Sequence, residues 1–248
     1  MSAARRTIDV DAFEALMLDH FRTEPFHNLR FIYGPSLAPD VRGGTCFYKT
    51  RSIIDAGKKA GFDVFWHAGV IRVQDVQWIH WVARVHVDGR VFFADMGNGW
   101  PSLKLYPADR EVSYRCFGMG FRTEIANERV TVFHEKHGKE ALQLEIDVRP
   151  RPEPEVLAEI ERRSSLGHVY PINSLRFSQV VGDRFLFLRG DRLEIYGDQE
   201  FECVEGIEDA RVPKILRDYF GLDVNVGTPL AATLKDETNG NGCQEQSS

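Results

Sequence analysis

Long apolar runs are missing from this chain of 248 residues. No stretch of about 18 consecutive apolar residues occurs, which removes a transmembrane helix from consideration. Cysteine is scarce: Cys46, Cys116, Cys203 and Cys243 lie far apart with no Cys-x-x-Cys pair. The sequence therefore has neither the density of a disulfide framework nor the spacing of a zinc site. A basic surplus is absent too. Lys and Arg total 31 against 37 Asp and Glu, a net charge of −6, and the basic residues are scattered. That balance excludes a nucleic-acid or anionic-membrane surface as the main role. Two arginines near the start have no apolar stretch behind them, which is not a secretory pattern. These readings predict a cytoplasmic protein with reduced thiols and no nucleic-acid or membrane partner.

What is present is ordinary globular material, 43% hydrophobic and 27% charged, enough for a real core. Apolar residues at helical spacing from Ile8 to Phe21 predict a helix ending before Pro25. An irregular segment, 24–42, precedes a second helix from Cys46 to Ala60, closed by Gly61. Residues 63–73, 77–87, 90–96, 129–134 and 141–148 read as strands. Pro150, Pro152 and Pro154 mark a boundary into a helix over 155–163. Short strands follow at 175–181, 184–189, 192–196 and 200–204, then a last helix over 212–220 that stops at Gly221. The expected fold class is α+β, with a helical domain (1–62), a sheet domain (63–150), a mixed unit with a linking helix (151–235) and a disordered tail (236–248).

Chemistry concentrates around three residues. In Arg42-Gly43-Gly44-Thr45-Cys46-Phe47, two glycines permit a tight approach of the backbone, and the thiol falls at a helix N-terminus, where the dipole favours thiolate. Read alone, Cys46 suits a small buried hydrophobe better, because a helix start by itself is only a weak activator of a thiol. His80 and Asp95 belong to a hairpin whose Asp88-Gly89 turn lies between alternating apolar runs. If Val87 faces Arg90, opposed residue numbers sum to 177, so Asp95 faces Val82 and His80 faces Gly97. His80 and Asp95 then share a face as diagonal neighbours about 7–8 Å apart, a gap that an imidazole and a carboxylate can bridge. His86 lies two pairs nearer the turn, and His67 has no acid fixed beside it locally. Trp78 and Phe93 share the face of His80 and are the candidate walls of a substrate pocket, the alternative being ordinary sheet core. Together Cys46, His80 and Asp95 supply a nucleophile, a base and an acid that orients the base. His134-Glu135-Lys136-His137-Gly138 reads as a charged, solvated turn, and no metal site is expected.

These motifs resemble those of the arylamine N-acetyltransferase family. The resemblance rests on Pro25-Phe26-His27-Asn28-Leu29, on the glycine-rich run into Cys46 and on the spacing from His80 to Asp95-Met96-Gly97. It extends to Leu216-Arg217-Asp218-Tyr219-Phe220-Gly221-Leu222 and covers roughly residues 10 to 224. It implies a cysteine-protease-like architecture: an N-terminal helical domain, a central antiparallel β-barrel and a C-terminal α/β lid. It also implies ping-pong chemistry without a bound cofactor. Cys46 would take an acyl group from acetyl-CoA or another acyl thioester, and a small-molecule amine would collect it, with His80 passing the proton. Three other activities fit the same residues: an amide synthase fed by an acyl carrier protein, a hydrolase or transglutaminase-like exchanger, and an inactive homologue kept as a binding module. The chain departs from the family pattern at His27, where an acid usually pairs with the arginine at Arg42. Tyr48 stands where an acidic residue is common, and Asn98 stands where a Phe usually precedes the second glycine of the acid loop.

Overall fold

A computed structural model of the chain describes residues 8–34, 41–73, 76–165 and 174–223. The sequence makes its first helix, α1 (Val10–Thr23), where expected: Asp9 caps it by accepting a hydrogen bond from the Ala12 N–H at 2.8 Å. Phe13, Met17 and Phe21 of α1 pack with Ile53 and Ile54 of α3 (Cys46–Ala60). Between them the segment read as irregular contributes a two-residue strand, β1 (Phe26–His27), and a short helix, α2 (Leu29–Tyr33). Neither is long enough to leave a periodic signal.

The helices lie on an eight-stranded antiparallel sheet. Its spatial order is β5 (Tyr106–Pro107), β4 (Arg90–Ala94), β3 (Val76–Val87), β2 (Asp63–Val73), β9 (Lys139–Asp147), β8 (Arg129–Lys136), β7 (Met119–Ala126) and β6 (Ser113–Cys116). The hairpin register is the predicted one, with Val87 opposite Arg90 and Ala83 opposite Ala94. Asp88 and Gly89 both take positive φ, as a two-residue turn with the twist of its strands requires. The expected closed barrel is corrected to a curled half-barrel, because the edge strands β5 and β6 do not pair with each other. Strands β5, β6 and β7 were not legible. The hairpin of β6 and β7 turns on Phe117-Gly118, which lacks the usual turn dipeptides, and β6 shows a half-exposed pattern.

Two cores follow from the curl. Val82, Phe93, Tyr106, Val132 and Leu144 meet across it, while Trp66, Trp81, Val85 and Phe92 face α1, α3 and the helix α4 (Glu153–Ser165). A second antiparallel sheet holds β1, β10 (Arg176–Val181), β11 (Arg184–Arg189), β12 (Arg192–Tyr196) and β13 (Phe201–Val204), in that order. Strand β1 thus ties the N-terminal segment into the C-terminal sheet. The last helix, α5 (Val212–Phe220), buries Ile215, Leu216 and Phe220 with Leu29 and Ile32 of α2. Among the described residues no helix is long and apolar enough to cross a membrane. Cys46 and Cys116 are free thiols. The predicted tail and Cys243 lie outside the described residues.

Candidate active site

The nucleophile candidate sits where two chain segments are stitched together. Gly44 donates to the Pro25 carbonyl at 3.1 Å, and the His27 N–H donates to the Gly44 carbonyl at 3.0 Å. Gly43 has φ +84°, and a Cβ there would lie 2.0 Å from the Pro25 oxygen, so only glycine fits. The chain then turns at Thr45 into α3, and Cys46 is its first residue. One turn along, the Thr50 hydroxyl donates to the Trp81 carbonyl at 2.8 Å, which docks α3 on β3 beside His80.

His80 and Asp95 meet as the hairpin register requires. Asp95 lies one residue beyond β4, and its Oδ1 is 2.7 Å from His80 Nε2; both side chains are buried. Cys46 lies near enough to His80 for its thiol to act on the ring. Burial alone would make the imidazole release its proton. The charge and hydrogen bond of Asp95, with a further contribution from the nearby Cys46 thiol, more than offset this and raise its pKa to about 10. The ring is therefore held as imidazolium between an acid and a thiol. Its proton can move to a leaving group, and it can take one from an incoming nucleophile.

The loop after Asp95 closes on the thiol. A Cβ on Gly97 would stand 2.2 Å from the Cys46 Cα and 2.5 Å from its Cβ, so the loop backbone abuts Cys46 directly. Gly97 also donates its N–H to Asp95 Oδ1 at 3.0 Å. Asn98 reaches Asp95 as well, its Nδ2 lying 2.6 Å from Oδ2. Neither contact was foreseen from sequence; only the glycine itself, placed opposite His80 by the register, offered a signal.

A family model for N-acetyltransferases matches residues 9–228. The chain belongs to the arylamine N-acetyltransferase family. Its fold is similar to that of an arylamine N-acetyltransferase from Mycobacterium smegmatis (20% identity, 89% of each chain, TM-score 0.72). A Mycobacterium marinum arylamine N-acetyltransferase solved in complex with CoA is similar over 90% of this chain and 89% of that one (18% identity, TM-score 0.73). The Salmonella typhimurium enzyme aligns over 88% and 86% (18% identity, TM-score 0.69). No curated protein matches in sequence.

Against the arylamine N-acetyltransferase pattern, the departures now have physical accounts. His27, in place of the acid, turns its Nε2 to the Arg42 backbone carbonyl at 2.9 Å and stacks on Phe177 with ring centroids 5.7 Å apart. Burial lowers its pKa to about 4, with help from the nearby cations Arg30 and Lys49. His27 is therefore neutral and donates from Nε2, keeping the glycine segment in place without an ion pair. The unfolded chain takes up this proton below pH 6.5 and the folded chain resists until about 4, so the stability involved is full above pH 6.5 and lost as pH falls. His27→Gln keeps a donor and does not titrate. Between pH 7 and 5 it should lose about 2 kcal/mol less stability than the wild type in urea titrations. Equal losses would refute the account.

Lys49, also in α3, is fully buried and was not anticipated. Its ammonium donates to the Glu24 carbonyl and, at 3.4 Å, to that of His20, while lying over the Phe21 ring. It thus caps the C-terminal end of α1, where a cation is favoured. Burial lowers its pKa to about 7. Tyr48 is exposed.

The remaining sequence candidates separate. Trp78 is half-buried on β3, whereas Phe93 has no exposed surface and packs beside His67 at 5.2 Å in the interior of the curl. Phe93 is corrected from a pocket wall to a core residue: it shares the face of His80, but β5 and the far strands close over that part of the face. His86 pairs with Asp63 at 3.0 Å, and His67 bonds to the Asp147 carbonyl at 2.8 Å, so neither joins the site. The His137-Gly138 turn forms as expected, but His134 beside it is buried between Trp100 and Phe121 rather than solvated.

Proposed function

We propose that the protein is an acyltransferase that moves an acetyl group from acetyl-CoA to an amine through an acyl-enzyme on Cys46. The single observation that carries this reading is the buried His80–Asp95 pair, 2.7 Å apart, with the Cys46 thiol near enough to raise the imidazole pKa. In the first half-reaction the sulfur attacks the thioester carbonyl, forming a new carbon–sulfur bond and breaking the one to CoA. The leaving thiolate takes the proton held on His80. The N–H groups at the start of α3, which have no helical acceptor, are placed to bind the oxyanion. In the second half-reaction the amine attacks the acyl-Cys46, His80 accepts the amine proton, and the Cys46 sulfur leaves.

Asp95 fixes the ring and stabilises its imidazolium form. Trp78 is the proposed wall for substrate beside the base. A cysteine-protease-like layout of the three domains, acetyl-CoA as a co-substrate without a resident cofactor, and a cytoplasmic setting that keeps Cys46 reduced belong to the same reading. The family membership and the CoA complex of the M. marinum relative support acetyl-CoA as the donor to try first.

The test is intact-protein mass spectrometry after mixing with acetyl-CoA and no acceptor. The expected result is one acetyl increment, mapped to Cys46 and discharged by an arylamine. An increment only from an acyl carrier protein would instead make this an amide synthase. Discharge into water at the same rate without an amine would make it a hydrolase. Iodoacetamide supplies a donor-free check. Burial raises the Cys116 thiol to a pKa of about 12, so Cys116 should stay unlabelled while Cys46 reacts fast. A Cys46 no more reactive than glutathione would leave an inactive binding homologue.

A further inference from the structure

We propose that Asn98 is a positioning residue of the site: it fixes the Asp95 carboxylate, and through it His80, by anchoring the acid to the C-terminal sheet. This rests on the acyl-transfer reading above.

The argument starts from the two oxygens of a buried carboxylate. Oδ1 accepts from His80 Nε2 at 2.7 Å and from the Gly97 N–H at 3.0 Å; Oδ2 accepts from Asn98 Nδ2 at 2.6 Å. Without that third donor the carboxylate has a reason to rotate about its Cβ–Cγ bond, which would carry Oδ1 off the imidazole. A buried charge left short of donors is costly.

Asn98 can do this because its own amide is held at the other end. Its Oδ1 accepts the Trp100 N–H at 2.7 Å, closing an Asx turn. The chemistry of both neighbours fixes which way the amide faces: turned over, oxygen would meet carboxylate and nitrogen would meet N–H. Trp100 is immobilised in turn, its ring 4.8 Å from that of Phe187 on β11, and the Gly99 carbonyl accepts from the Ser178 hydroxyl on β10 at 2.7 Å. Asp95 is thereby tied through one side chain to a sheet that contributes nothing else to the triad. An asparagine is required for the link, since one donor and one acceptor must point in opposite directions. Phe, usual at this position in the family pattern, offers neither.

Three variants test the proposal. Asn98→Ser keeps an acceptor for the Trp100 N–H but is too short to reach Asp95. It should lower the single-turnover acylation rate about 10- to 100-fold with KM unchanged. It should also lower the iodoacetamide rate of Cys46, while the fold is retained with a modestly lowered melting temperature, the cost of the donor lost to the buried carboxylate. Asn98→Asp is ionised at neutral pH and offers no donor, so it should be impaired there and recover relative to wild type as pH falls and its carboxyl regains an O–H. Asn98→Gln, which keeps the amide, should be the least impaired. A wild-type rate and pH profile in Asn98→Ser, or a loss confined to KM, would overturn the positioning role. If instead wild-type Cys46 alkylates no faster than glutathione, it is the triad reading that fails, so the two failures are told apart without an acyl donor.

Discussion

Cys46→Ala should cut acetyl transfer by about a million-fold, because the step it removes is covalent bond formation and nothing nearby can replace the sulfur. The fold should survive. Cys46 is half-buried at the first position of α3, and alanine is the best helix former, so unfolding should move by less than about 1 kcal/mol. The pair of results matters more than either alone: loss of the acetyl increment with an unchanged circular dichroism spectrum and melting curve isolates chemistry from structure. Residual turnover within a hundred-fold of wild type would exclude Cys46 as the nucleophile.

Gly97→Ala should have the second-largest effect, although it adds one methyl group and touches no titratable atom. That methyl would stand 2.2 Å from the Cys46 Cα, in contact with backbone that has no rotamer to escape into. Either the acid loop or the start of α3 must move by about an ångström, and a displacement of that size at reacting groups costs about a hundred-fold in rate. Forced overpacking should also cost about 1–3 kcal/mol of stability. Kinetics and urea unfolding on the same preparation check both. An active, stable Gly97→Ala would mean that the loop and the nucleophile are not in contact in solution.

The partnership of His80 and Asp95 was legible because its geometry is local. A two-residue turn at Asp88-Gly89 fixes the register, and the pleat then decides which side chains share a face. Cys46 was legible as a helix-start thiol, but its meeting with His80 depends on how α3 docks through Thr50, a contact that sequence spacing does not encode. Phe93 misled for the converse reason. Parity gave its face correctly, but the curl of the sheet decides which end of that face is open. Asn98 was beyond reach, since its conformation is set by Trp100, and Trp100 is set by a sheet nearly 80 residues later, as the bond from Ser178 to Gly99 shows. The longer helices and most strands were plain in the periodicity; α2, β1, β5, β6 and β7 are short, or turn on residues with no turn signature.

The close fit of Gly97 against Cys46 joins the two ends of the site early and late in the chain's history. During synthesis Cys46 leaves the ribosome well before His80 and Asp95, and until β3 and β4 have formed and α3 has docked on them there is no imidazolium beside it. On the acyl-transfer reading, a nascent or partly unfolded molecule should carry only an ordinary, slowly reacting thiol at Cys46. On that reading reactivity should rise with the completed tertiary structure, so that the alkylation rate of one cysteine would read out the moment at which helices, half-barrel and acid loop come together.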